Sequence, residues 1–151
     1  VGAVIFNDLV HNPIKEISFQ WESVLNFDGD TGPYVQYTHA RACSVLRRAE
    51  EQGATPMEEG FDQVEWDDAE MRLIRLMGRF SQSVAAAAFG REPSTVARFV
   101  LDLAQAFNAF YHGNRILGSE RQAERLALTH AVRQVLANGL RLLALEAPSE
   151  M

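Results

Sequence analysis

The sequence DTGPYVQYTHARACSVLRR, Asp30–Arg48, decides how the rest of the chain is read. A turn-forming Asp-Thr-Gly leads into Pro33. Proline suits a first helical turn because the N–H it lacks would have no intrahelical partner there. The spacing predicts a helix from Pro33 to about Gln52, with Gly53 as the C-terminal cap. Val35, Thr38, Ala42, Val45 and Ala49 recur at steps of three and four, which is a stripe facing a core. Tyr34, Tyr37 and Arg41 run one residue out of phase with it. With Tyr34 at zero, the other two lie at about 300° and 340° on a helical wheel, so all three share one narrow face beside the core.

The same logic extends outward. Residues 1–10 (VGAVIFNDLV) predict a short helix, and Asn12-Pro13 ends it. Ile14–Trp21 partly alternates and reads as a short extended segment, followed by an apolar patch of Trp21, Val24, Leu25 and Phe27. Beyond Gly53 an acidic stretch with Pro56 and Gly60 reads as a solvated loop, and Asp67-Asp68 suit the start of the next helix. That helix carries Met71, Leu73, Ile74, Leu76 and Met77 to Gly78. An alanine-rich helix, Phe80–Phe89, ends at Gly90. A long helix opens at Pro93-Ser94-Thr95 and runs to Gly118. A last one runs from Ser119 to Leu145, with Ser119 as N-cap, Gln122 in the capping-box position and Pro148 as the stop. Its Leu126, His130, Arg133, Ala137 and Leu140 trace one stripe. The fold class is all-α, a bundle of about five helices with a short mixed N-terminal lead-in.

Composition narrows the function. The chain has 151 residues, enough for one domain with a real core. Its single cysteine, Cys43, leaves no internal disulfide to form, which fits a reducing compartment, and a lone Cys on an apolar helix face reads as packing. No apolar run reaches the roughly 18–20 residues that span a bilayer. The chain starts at Val1 in mid-pattern, as a piece whose beginning lies upstream would. The formal charge of −6 is uneven: Glu50–Glu70 holds nine of the 20 acids and no base, so the remainder carries 14 bases against 11 acids. Thirteen of those bases are arginine, the side chain suited to phosphates and base edges, although genome composition alone can produce that usage.

Signatures of reaction chemistry are missing. No CxxC, HExxH, GxxxxGK[ST], GxGxxG or GxSxG occurs, and His11, His39, His112 and His130 are dispersed. The sequence thus offers no catalytic residue and no metal site. What remains is the Tyr34–Tyr37–Arg41 face, which admits two readings. It can stack on unpaired bases with an adjacent phosphate or base-edge contact. Equally, the tyrosines can be half-buried core with their hydroxyls at the rim. A second aromatic–polar face, Phe107, Phe110, Tyr111, Asn114 and Arg115, repeats the Tyr/Arg pairing and favours an RNA-reading surface.

The run FxWxxxLxFxGxTGPYxQYxHAR (Phe19–Arg41) resembles the junction and first anticodon-domain helix of arginyl-tRNA synthetases. GAVxFxDL (Gly2–Leu9) looks like the segment before it in that family. DLAQAFNAFYxxxRILG (Asp102–Gly118) and RLALTHAVRQVLANGLRLLALEAPSEM (Arg125–Met151) are similar to the family's closing helices and C-terminal ending. The likeness covers nearly the whole chain in the right order, apart from the acidic loop; at His112 bacterial members often carry Asn. It implies a DALR-type anticodon-binding domain at 31–151, with 1–30 as the junction from a class I catalytic domain that lies upstream and bears the HIGH-like and KMSK-like signatures. The implied activity of the longer enzyme is joining arginine to its tRNA with ATP and magnesium in the cytoplasm. The piece itself holds no cofactor and is inactive alone. Its implied partners are tRNA(Arg) and that catalytic domain, with no membrane and no DNA. The family's anticodon contacts fall on Tyr34, Tyr37, Arg41, Tyr111 and the terminal Met151. Asn108 and Arg115 are added from helical spacing alone. The competing expectation is a helical protein-interaction module without RNA binding.

Overall fold

A computed structural model describes residues 2–10 and 29–151. The expected extended segment and the Trp21–Phe27 patch lie outside the described residues. Among the described residues six α-helices follow in order: α1 (Gly2–Val10), α2 (Gly32–Glu51), α3 (Asp68–Gly78), α4 (Phe80–Gly90), α5 (Ser94–Gly113) and α6 (Gln122–Leu142). A 3-10 turn, Phe61–Gln63, interrupts the acidic loop. Among the described residues there is no strand, so the all-α expectation holds.

Helix α5 is the hub. Aromatic and small residues alternate around it (Phe99, Ala104, Phe107, Phe110), so it is buried on several sides and touches each of the other five described helices. Helix α2 lays its predicted stripe against α5 and α6: Val35, Thr38 and Ala42 are fully buried, and Val45 and Ala49 nearly so. Burial of such side chains contributes about 1.5–3 kcal/mol each for the larger apolar ones. Gly139 lets α6 approach α5 closely, because a Cβ there would sit 2.2 Å from Val100 Cγ1. Helix α1 joins the same core: Phe6 is fully buried and lies across Gly32, where a Cβ would come within 2.8 Å of it.

The helix boundaries follow local chemistry. Thr31 caps α2, its hydroxyl accepting from Tyr34 N at 3.2 Å, and Gly53, with φ +70°, closes it. Asp67 and Glu70 form a reciprocal capping box at the start of α3. Arg91, rather than Gly90, takes the left-handed position after α4.

Four expectations are corrected. Helix α5 stops at Gly113, five residues before Gly118. The Asn114 side chain and backbone N–H both bond Phe110 O, a local alternative that ends the helix. Helix α6 starts at Gln122, because Ser119 Oγ donates to Ile116 O and Gln122 Oε1 accepts from Gly118 N, so neither closes a capping box at Ser119. It ends at Leu142, ahead of Pro148. The Leu145 and Ala144 N–H groups bond Leu140 O and Arg141 O, a Schellman ending with Ala144 at φ +57° where glycine is usual. The buried stripe of α6 is Leu126, Thr129, Val132, Leu136 and Leu140, whereas His130 is exposed.

The acidic loop is solvated except at its end. Glu70 is fully buried, with Arg125 Nε bonded to its Oε1 at 3.0 Å and Arg121 Nη2 2.7 Å from its Oε2. The second contact lacks hydrogen-bond alignment and acts as charge attraction. Asp67 adds a longer contact to Arg125 at 3.7 Å. The cluster ties α3 to α6.

Candidate nucleic-acid interface

After Ala144 the chain leaves α6 and runs as an extended tail along α2. Leu143 and Leu145 anchor it in the core. Gln36 Nε2 donates to Glu146 O at 2.9 Å, His39 Nδ1 to Pro148 O at 2.8 Å, and Arg47 pairs with Glu150. A carbonyl only accepts, so His39 carries its proton on Nδ1. Burial lowers the His39 pKa below its ordinary 6.5; the bond to Pro148 opposes this and the nearby Arg133 charge adds to it. Cys43, one turn on, lies 3.8 Å from the same ring nitrogen, and burial raises its pKa. The tail delivers Met151, 57% exposed, to the outer face of α2.

That face forms an open cleft of about 460 Å³, lined by Tyr37, Arg41, Arg47, Arg48, Tyr111 and Met151 together with the tail. The Arg41 guanidinium lines it, 4.8 Å from the Tyr37 ring centroid and 4.9 Å from that of Tyr111. Tyr111 rests on Phe107, with centroids 6.4 Å apart, so the hydrophobic core fixes one wall. Tyr37 is 38% exposed and forms the other. Among the described residues no carboxylate lies within ion-pair distance of Arg41 or Arg48, so their charge is available to an anion. Aromatic faces beside unneutralised arginines can stack a base and hold its phosphate.

The sequence-derived residues therefore divide. Tyr37, Arg41, Tyr111 and Met151 come together in one cleft. Tyr34 is half-buried, packs on the core one turn earlier and is not among the cleft walls. Arg115 stands apart: α5 has ended, its Nε donates to Leu117 O, and the helical spacing from Tyr111 is not realised. Asn108 is only 7% exposed, and its amide bonds Arg41 and Thr38. The arginines Arg47 and Arg48 are additions from the structure. Arg48 was accessible to sequence reasoning, since it follows Arg41 by seven residues and so falls on the same helical face.

Comparison with known proteins agrees with this geometry. Residues 35–151 match the family described as the DALR anticodon binding domain. The arginine–tRNA ligases of Clostridioides difficile and Alkaliphilus metalliredigens are 48% and 44% identical across the whole of this chain, which covers 26% of each. The arginyl-tRNA synthetase structure from Thermus thermophilus superimposes with a TM-score of 0.86 at 35% identity, over 99% of this chain and 26% of that one. The chain thus spans about a quarter of the length of the relatives it matches. With its helical bundle, its arginine-centred cleft and a match over most of its length, the chain belongs to the DALR anticodon binding domain family.

Proposed function

We propose that this chain grips the anticodon loop of tRNA(Arg) in the cleft between α2, α5 and the tail, as the RNA-reading part of a longer arginine–tRNA ligase. The observation that carries the reading is the Arg41 guanidinium held between Tyr37 and Tyr111 in the lining of an open cleft. Unpaired loop bases would stack on the exposed tyrosine faces, at about 1–3 kcal/mol per base. Arg41, Arg47 and Arg48 would take phosphate or base-edge acceptors. Met151 would close the cleft with an apolar contact. Arginine activation with ATP and magnesium would belong to the rest of the longer polypeptide, in the cytoplasm, and this piece would hold neither.

The test is fluorescence anisotropy with a tRNA(Arg) transcript and with the same transcript carrying another anticodon. Wild-type protein should prefer the first. Tyr37→Ala and Arg41→Ala should each weaken binding by about 5- to 150-fold, the range set by one lost stack for the first and one lost base-edge contact for the second. Three phosphate contacts would give a slope of log K against log salt near −2. Equal binding by wild type and both variants would overturn the assignment. Absence of any salt-dependent RNA binding would return the domain to a protein-interaction role.

A further inference from the structure

We propose that Asn108 is a positioning residue for the RNA site: its buried amide locks the Arg41 guanidinium in the slot between Tyr37 and Tyr111. The inference rests on the RNA reading of the cleft given above.

Arginine has a long flexible side chain, and ordering it costs up to about 2 kcal/mol of rotamer freedom. Two ring faces restrain the guanidinium but do not fix which of its edges points outward. A hydrogen bond at one end does. Arg41 Nη1 donates to Asn108 Oδ1, across from α2 to α5. The residues are 67 apart in sequence, so the contact exists only once the bundle has formed.

The amide is itself oriented by chemistry. Asn108 Nδ2 donates to Thr38 Oγ1 at 2.8 Å, and Thr38 Oγ1 donates to Tyr34 O at 2.8 Å. The single hydroxyl proton of Thr38 is committed to that carbonyl, so its oxygen faces Asn108 as an acceptor. Flipping the amide would set Nδ2 against the guanidinium, donor against donor. The chain Tyr34 O, Thr38, Asn108, Arg41 therefore has one satisfied arrangement, and it ends on the cleft. Thr38 is fully buried and Asn108 nearly so, which keeps water from competing.

The choice of an amide also matters for charge. A carboxylate at position 108 would hold Arg41 equally well and neutralise it. Asparagine supplies the acceptor and leaves the positive charge for the RNA. Asn108 thus acts on RNA through Arg41, and its burial keeps its own edge out of the cleft.

The experiment is a double-mutant cycle of Asn108→Ala and Arg41→Ala, read as affinity for an anticodon stem-loop RNA, with melting temperatures recorded alongside. Asn108→Ala alone should weaken binding about tenfold, the worth of one hydrogen bond to a charged group. In the Arg41→Ala background it should produce no further loss. Asn108→Asp should keep the fold yet flatten the salt slope by about 0.7, as one phosphate contact is neutralised. Thr38→Val replaces Asn108→Ala in the cycle if the latter does not fold. Equal weakening in both backgrounds, or none in the wild type, would overturn the proposal while leaving the cleft assignment standing. Wild-type binding by Arg41→Ala would overturn the proposal, and wild-type binding by Tyr37→Ala as well would defeat the cleft assignment with it.

Discussion

Among the described residues two places set arginine beside an aromatic ring, and they behave differently. At the start of α3, Arg121 lies 6.0 Å from the Trp66 ring and joins Arg125 on the fully buried Glu70 carboxylate. On α2, Arg41 lies between two tyrosines and is met by a neutral amide. In the first cluster the positive charge is neutralised inside the protein, and the result is a tie between α3 and α6. In the second it is held in place and left un-neutralised in the lining of a cleft. An arginine–aromatic contact alone does not mark a binding site. The partner at the other end of the guanidinium, carboxylate or amide, decides whether the charge serves the fold or faces outward.

The largest expected effect breaks the first cluster. Glu70→Ala leaves two arginines converging without their shared carboxylate and removes half of the α3 capping box. Losing one partner of a buried pair costs about 3–5 kcal/mol, on the order of 10 °C in Tm at this chain length. Thermal denaturation measures it, and RNA affinity of the folded protein should stay at the wild-type value. A Tm within a degree of wild type would show that the cluster does not hold α3.

A smaller effect separates the cleft end from the α3 end by pH. His39 is held neutral under the tail, with its pKa lowered chiefly by burial. The unfolded chain therefore takes up this proton more readily than the fold does. Stability is complete above the ordinary value of 6.5 and falls as pH drops from there towards the lowered folded-state value. Tm measured at pH 7.5 and 5.5 should decline, and His39→Gln should reduce the decline. An unchanged decline in that variant would place the acid sensitivity elsewhere.

The smallest effect concerns Glu150, the one carboxylate seen pairing with a cleft arginine among the described residues. Both partners are well exposed, so the pair is worth about 0–1 kcal/mol. Glu150→Gln should release Arg47 and raise RNA affinity by roughly twofold at low salt, with the gain gone at high salt. Weaker binding would mean that Glu150 itself supports the RNA.

Much of the fold was legible because its signals are local. The α2 stripe, the Pro33 start, the Gly53 end and the start of α3 at Asp67-Asp68 depend on residues a few positions apart. The start of α5 at Pro93-Ser94 was legible too, whereas its end and both limits of α6 were not. Asn114 and Ser119 bond backward to carbonyls instead of opening or continuing a helix, and Ala144 occupies a left-handed position that carries no glycine to announce it. The site divides the same way. Tyr37 and Arg41 sit at readable spacing on one helix. The clustering of Tyr111 and Met151 beside them depends on tertiary packing: Tyr111 stood out in the sequence only as part of a second aromatic–polar face, and Met151 only through the family resemblance. The roles of Asn108 and Thr38 are set by a hydrogen-bond chain between α2 and α5, and no spacing within either helix encodes it.

Four methionines, Met57, Met71, Met77 and Met151, give one probe in the cleft and three away from it. The most direct measurement is methyl NMR of 13C-methionine-labelled protein titrated with an anticodon stem-loop of tRNA(Arg). The Met151 methyl should shift and saturate with the RNA while the other three stay in place. A saturating shift at Met57, Met71 or Met77 with Met151 unmoved would contradict the cleft as the RNA site.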